Sequence, residues 1–199
     1  MSAAQEDILA TPELLELILA QLPMRDLLVT APLVSKTWRA TTLVPALQRA
    51  LFFLPSASSN SEPIQNLLLA AAFPTFFASH AGACYARTFM VMPWNKAPDA
   101  FKRPEASWRR MLLTQPPVRG MAITQTYSPR VRRAMLRDPE GLRMGVLYDL
   151  GVQFVHRSAA SFRILWHHAG DIHFESNLTV AVKEFVPHGC MRAGGTPAR

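Results

Sequence analysis

The chain has 199 residues, 49% apolar and 18% charged, so it holds enough apolar material for a modest core and is not a disordered chain. Its longest unbroken apolar run, Leu67 to Phe73, is seven residues, against the roughly 20 that a membrane span needs, and its two cysteines exclude a disulfide framework. The formal charge of +7 is split between −1 over residues 1–54 and +8 over residues 55–199, and 17 of the 21 basic residues are arginine, which favours carboxylate or phosphate partners.

The acidic, proline-bearing start MSAAQEDILATPE is unlike a signal peptide and points to an intracellular, cytoplasmic or nuclear, setting. Sixteen prolines predict many short elements. Thr11-Pro12-Glu13 reads as a helix start, with Thr as cap, Pro in the first turn and Glu near the positive end of the dipole. Leu14, Leu15, Ile18, Leu19 and Leu22 follow at helical spacing, and Pro23 ends the run. A second short helix passes through Leu27 and Leu28. Pro32 opens a third, with Val34 and Trp38 one turn apart on one side. Three helices in so short a segment carry more leucine than a miniature core uses, and the surplus suggests a docking face.

Residues 55–63, PSASSNSEP, read as a linker. Residues 64–78 read as a helix interrupted at Pro74, and 93–105 as a proline-rich loop containing Trp94. Residues 106–114 read as helical up to Pro116-Pro117. Ser128-Pro129 predicts a helix to about Arg137 with Arg130, Arg133 and Arg137 along one side. The period then changes to two. Phe162, Ile164 and Trp166, then Ile172 and Phe174, then Leu178, Val180 and Val182, predict antiparallel strands. Residues 188–199 read as a loose tail.

The segment TPELLELILAQLPMRDLLVTAPLVSKTWRATT resembles the F-box. Glu13, Leu14, Leu15, Ile18, Leu19, Leu22, Asp26, Leu27, Leu28, Val34, Trp38 and Arg39 match its pattern in register, and Ala10-Thr11 departs from the usual Leu-Pro. VPALQRALFFLP, NLLLAAAFPTFF and ASWRRMLLTQPP are similar to stretches of F-box proteins of filamentous fungi. The resemblance implies a non-catalytic adaptor that binds a Skp-type protein and so joins the SCF cullin–RING ubiquitin ligase, the rest of the chain recruiting an unknown protein substrate. It implies a docking face drawn from Pro12, Leu14, Leu15, Ile18, Leu22, Leu27, Leu28, Val34 and Trp38.

The expected architecture is α+β: an F-box over residues 7–54, a linker over 55–63, a substrate-recruiting region of short helices and a small antiparallel sheet over 64–187, and a tail over 188–199. Trp94, Trp108, Arg109, Arg110, Arg130, Arg133 and Arg137 are the candidate substrate contacts, because mixed arginine and aromatic side chains hold acidic segments. The same mixture suits nucleic acid. A basic nucleic-acid-binding protein, or an F-box scaffold outside any ligase, is therefore the alternative. No phosphate loop, HExxH or GxSxG motif occurs. The late histidines His156, His167, His168, His173 and His188, with Cys190, lack a CxxC pair. No enzyme activity, cofactor, metal or membrane partner is expected.

Overall fold

The computed structural model describes residues 11–56, 62–77, 84–85, 98–127, 129–155, 161–167 and 171–177. It is a mixed helix-and-sheet structure. Five short helices come first: α1 Pro12–Leu19, α2 Met24–Val29, α3 Ala31–Val34, α4 Lys36–Thr41 and α5 Pro45–Ala50. Pro12, Pro32 and Pro45 each sit in a first turn, where a missing N–H costs nothing. Thr11 takes the extended cap conformation, but its hydroxyl makes no capping bond. The expected third helix is broken at Ser35, whose extended backbone (φ −160°, ψ 168°) separates α3 from α4. Its Oγ accepts a hydrogen bond from the Trp38 N–H at 3.1 Å, so Val34 and Trp38 belong to different helices rather than to one side of a single helix.

Leu15, Leu19, Leu27, Ala31, Leu47 and Leu51 form the core of this helical unit. Beyond α5 the chain turns at Phe52, which takes a left-handed φ of 61°. Such a conformation is strained for a phenylalanine and persists only where its surroundings fix it. Here the Phe52 carbonyl accepts from the Leu112 N–H at 2.7 Å. The Gln115 amide nitrogen donates to the Arg49 and Leu54 carbonyls at 2.6 and 3.0 Å. Leu28 and Phe53 pack against both this small core and the larger one.

The remaining elements are β1 Ile64–Gln65, α6 Leu67–Ala72, α7 Pro74–Phe77, β2 Cys84–Tyr85, α8 Pro98–Lys102, α9 Ser107–Arg110, β3 Thr114–Gln115, β4 Gly120–Tyr127, β5 Arg130–Arg137, α10 Met144–Val155, β6 Ser161–Trp166 and β7 Ile172–Asn177. β1 and β3 form a two-stranded ladder, and the main sheet has the order β2-β6-β7-β4-β5. Buried Asn66 ties the start of α6 to the segment 112–113. Its Oδ1 accepts from the Leu69 N–H at 3.2 Å to cap α6, and its backbone N–H donates to the Leu113 carbonyl at 3.0 Å. The larger core lies between one face of the main sheet and helices α6, α7 and α10. Phe73, Phe76 and Phe77 meet Leu147, Tyr148, Phe162, Ile164, Ile172 and Phe174 there.

The structure revises several expectations. Residues 130–137 are a strand, not a helix, because all eight pair antiparallel with β4. Val131, Ala134 and Met135 do recur at helical spacing, but the ladder supplies every backbone group a partner strand can reach and overrides that local pattern. The main sheet is mixed rather than antiparallel: β6 and β7 pair antiparallel as the alternation implies, while β7 runs parallel to β4. Helix 106–114 shrinks to α9. Met111, Leu112 and Leu113 leave it to run extended between the two cores, where the Leu112 and Leu113 N–H groups donate to the Phe52 and Leu142 carbonyls. The helix expected over 64–78 is two short helices preceded by a strand, and a short helix interrupts 93–105. Leu178, Val180 and Val182, and the tail, lie outside the described residues.

Gly151 of α10 marks a tight contact. A Cβ there would lie 2.8 Å from the Phe76 ring and 3.1 Å from that of Phe162. Alanine gains about 1 kcal/mol of helix propensity, but overpacking a rigid core costs about 1–3 kcal/mol. Gly151→Ala is therefore expected to lower Tm by a few degrees. An unchanged or raised Tm in a thermal scan would show that the two rings give way.

Candidate functional sites

Two surfaces stand out, one apolar and one basic. Helix α1 reads PELLELIL, with Glu13 and Glu16 on one side and apolar residues round the rest. Leu15 and Leu19 turn inward and pack in the helical core. Leu14, Leu17 and Ile18, three and four residues apart, form a second apolar stripe that nothing in the described residues covers: Leu14 is 41% and Ile18 40% exposed, while Leu15 is 0%. The apolar arc is thus wider than the part that the core buries. Val29, Leu33, Val34 and Leu43 of the same helical unit are exposed as well. Seven of the thirteen large apolar side chains exposed among the described residues thus fall between Leu14 and Leu43, a concentration beyond ordinary scatter.

The expected docking residues divide accordingly. Leu14, Ile18, Val34 and Pro12 face solvent. Leu15 and Leu27 are sealed in the helical core and support the face from beneath. Leu22, Leu28 and Trp38 are half-buried against that core. Leu17, Leu33 and Leu43 were missed by motif matching. Leu17 was legible, because Leu14 and Leu17 lie one turn apart.

The candidate substrate contacts are not gathered into one cluster. Trp108 of α9 lies in an aromatic group, its ring 4.9 Å from Phe73, 5.0 Å from Tyr148 and 6.0 Å from Phe101. Arg109 stacks over Trp108 and Tyr148 and grips the Asp149 carboxylate with both oxygens, at 2.6 and 2.5 Å. This pair clamps α9 onto α10. Burial pushes the Tyr148 phenol above its ordinary value, Arg109 pulls it back, and Asp149 raises it again. Arg110 covers the Phe53 ring. Trp94 lies outside the described residues.

Arg130, Arg133 and Arg137 sit on the edge strand β5. They do not share one side. Successive strand residues alternate, so Arg130 and Arg132 project to the core side of the sheet and Arg133 and Arg137 to the other. Nothing in the described residues neutralises these four guanidinium groups. Across the outer face, register places Arg133, Thr124, Glu175 and Arg163 in one row. Glu175 pairs with Arg163, and its Oε1 lies 3.6 Å from His173 Nδ1. His173 Nε2 shares a hydrogen bond of 2.9 Å with the Thr124 hydroxyl. An open trough of about 540 Å³ runs beside Arg133, Met135 and His173. The row ties β4, β6 and β7 together. Strand β4 has neighbours on both sides, so its backbone groups are committed to the ladders.

Among the described residues no group of three or more His, Cys, Asp or Glu side chains is placed to hold a metal ion. His156, His168, His188 and Cys190 lie outside them. No helix among the described residues is long and apolar enough to cross a membrane.

Comparison with known proteins returns no relative. No family model matches the chain, and no curated protein or solved structure matches it.

Proposed function

We propose that the chain is a non-catalytic adaptor: its N-terminal helical unit docks a Skp-type protein and so joins an SCF cullin–RING ubiquitin ligase, and the sheet-bearing remainder recruits a protein substrate in the cytoplasm or nucleus. One observation carries this reading. The uncovered apolar stripe of Leu14, Leu17 and Ile18 falls inside the segment that resembles the F-box, so motif and unpartnered surface coincide. The physics fits such a division of labour. An apolar helix face set into a partner's groove is a recurring recognition mode. Seven partly exposed anchors at roughly 1–2 kcal/mol each are commensurate with an association cost of about 4–15 kcal/mol.

The test is co-expression of the full chain with a Skp-type adaptor, followed by gel filtration at low and high salt. A one-to-one complex that survives high salt is expected, because apolar burial is not screened. Failure to form it, with nucleic acid co-purifying and lost at high salt, would overturn the reading. The unneutralised arginines of β5 would then favour the nucleic-acid alternative. A stable complex that never associates with a cullin would instead mark a scaffold outside the ligase.

A further inference from the structure

We propose that the outer edge of β5, unpaired among the described residues, captures an extended, acidic segment of another protein, which adds to the main sheet as a further strand. The inference rests on the recruiting role above, and it names the chemical class of the substrate segment.

Among the described residues the edge is open. Strand β5 ends the order β2-β6-β7-β4-β5, and no described residue pairs with its far side. All eight of its residues stay in unbroken register with β4, and seven of the eight are exposed. Proteins ordinarily blunt a long edge with a bulge, a proline, charged side chains or a covering element, since its unpaired N–H and C=O groups invite another strand. Strand β5 relies on its arginines, which repel a cationic or like strand but not an acidic one. From Arg130 to Arg137 there is neither bulge nor proline.

Charge decides what fits. The strand has four arginines and no acid. Two project to each face, so an incoming strand meets guanidinium groups above and below its backbone. Arg163 of β6 shows the contrast, since Glu175 on the neighbouring strand already neutralises it. A second copy of β5 would set arginine beside arginine, which repels. An acidic strand instead gains the backbone ladder together with charge-assisted pairs on both faces, and arginine's planar fork suits carboxylates. Nucleic acid fits less well. It cannot continue a peptide ladder, and the side chains between the arginines, Val131, Ala134, Met135 and Leu136, offer no aromatic platform for bases.

The test uses the full chain, alone and with its adaptor. The probe is a blocked, fluorescein-labelled decapeptide of Glu, Val and Thr with glutamates on both faces of the extended strand. Two further versions carry backbone N-methyl groups, one on alternate residues, which blocks one edge, and one on every residue, which blocks both. Because the glutamates lie on both faces, either edge of the parent can pair with β5. The half-methylated peptide should therefore bind like the parent through its free edge, and the fully methylated one should lose affinity by roughly tenfold or more. Amide NMR shifts should map to Arg130–Arg137. The double variant Arg132→Glu/Arg133→Glu should weaken the parent peptide by roughly tenfold or more while still forming the adaptor complex.

Undiminished binding of the fully methylated peptide would reduce the strand to a charged patch and overturn the proposal. So would absence of peptide binding, or preference for a single-stranded RNA decamer. Peptide binding that is lost only on full methylation, by a chain that forms no adaptor complex, would support the edge site and overturn only the ligase reading.

Discussion

Replacing Leu14 and Ile18 together with aspartate is expected to abolish co-elution with a Skp-type adaptor while leaving the chain folded. Both side chains are about two-fifths exposed, so in the free chain an aspartate at either position remains hydrated. Helix propensity falls by at most about 0.7 kcal/mol per site, and Asp at position 14 gains from the nearby positive end of α1. In the complex the same carboxylates would be driven into an apolar groove. Burying an unpaired charge costs several kcal/mol, so two of them should weaken binding by at least about a thousandfold. Leu15→Asp supplies the contrast. Leu15 is buried among Leu19, Leu27, Ala31, Leu47 and Leu51, and a charge there should unfold the helical unit itself. Gel filtration read beside circular dichroism separates the two cases. Intact binding by the folded Leu14→Asp/Ile18→Asp chain would remove α1 from the interface.

The same helix shows what could be read from the residues and what could not. Its position and two-faced apolarity follow from Pro12 and the 3.6-residue spacing. Which face turns inward does not, because Leu14 and Leu15 are equally apolar and only the placement of the other helices around Leu15 distinguishes them. The strands β6 and β7 were legible for a similar reason: Phe162, Ile164, Ile172 and Phe174 alternate, and alternation is a local property. Parallel pairing of β7 with β4 is not local. The two strands are separated by β5, α10 and β6, and nothing in their own residues states the direction of a neighbour.

Strand β5 misled because Ser128-Pro129 reads as a helix start, while the ladder that overrides that local signal belongs to β4. Two elements left readable signals that went unused. β4 is rich in Thr, Ile and Tyr, which favour strands, and α10 buries Met144, Leu147, Tyr148 and Gly151 at helical intervals. The basic site was legible only as composition. Arg109 and Arg130 look alike in sequence, yet one is held by Asp149 and the other is not, and that difference arises only when α10 packs on α9.

Phe73→Ala is expected to cause the largest loss of stability from a single truncation in the chain. Phe73 is fully buried at the junction of α6 and α7. Its ring lies 6.1 Å from Phe76, 5.6 Å from Phe101, 4.9 Å from Trp108 and 6.0 Å from Tyr148, mostly edge-on or tilted, the geometry in which aromatic quadrupoles attract. Removing it takes away the transfer free energy of the ring and leaves a cavity whose walls are themselves rigid rings, so the site cannot readily collapse. The cost should be about 3–5 kcal/mol, a large share of the roughly 5–15 kcal/mol that stabilises a folded protein. For a chain of this size that corresponds to a fall in Tm of roughly 6–20 °C. Phe73→Leu, which retains much of the volume, should cost less. Because Trp108 and Tyr148 flank the ring, the alanine variant should also lose near-ultraviolet dichroism before its helical signal. A change below about 1 kcal/mol, well under the range for buried aromatic truncations, would show that the aromatic group is loosely packed, and the clamp of Arg109 on Asp149 would then have to hold α9 to α10 by itself.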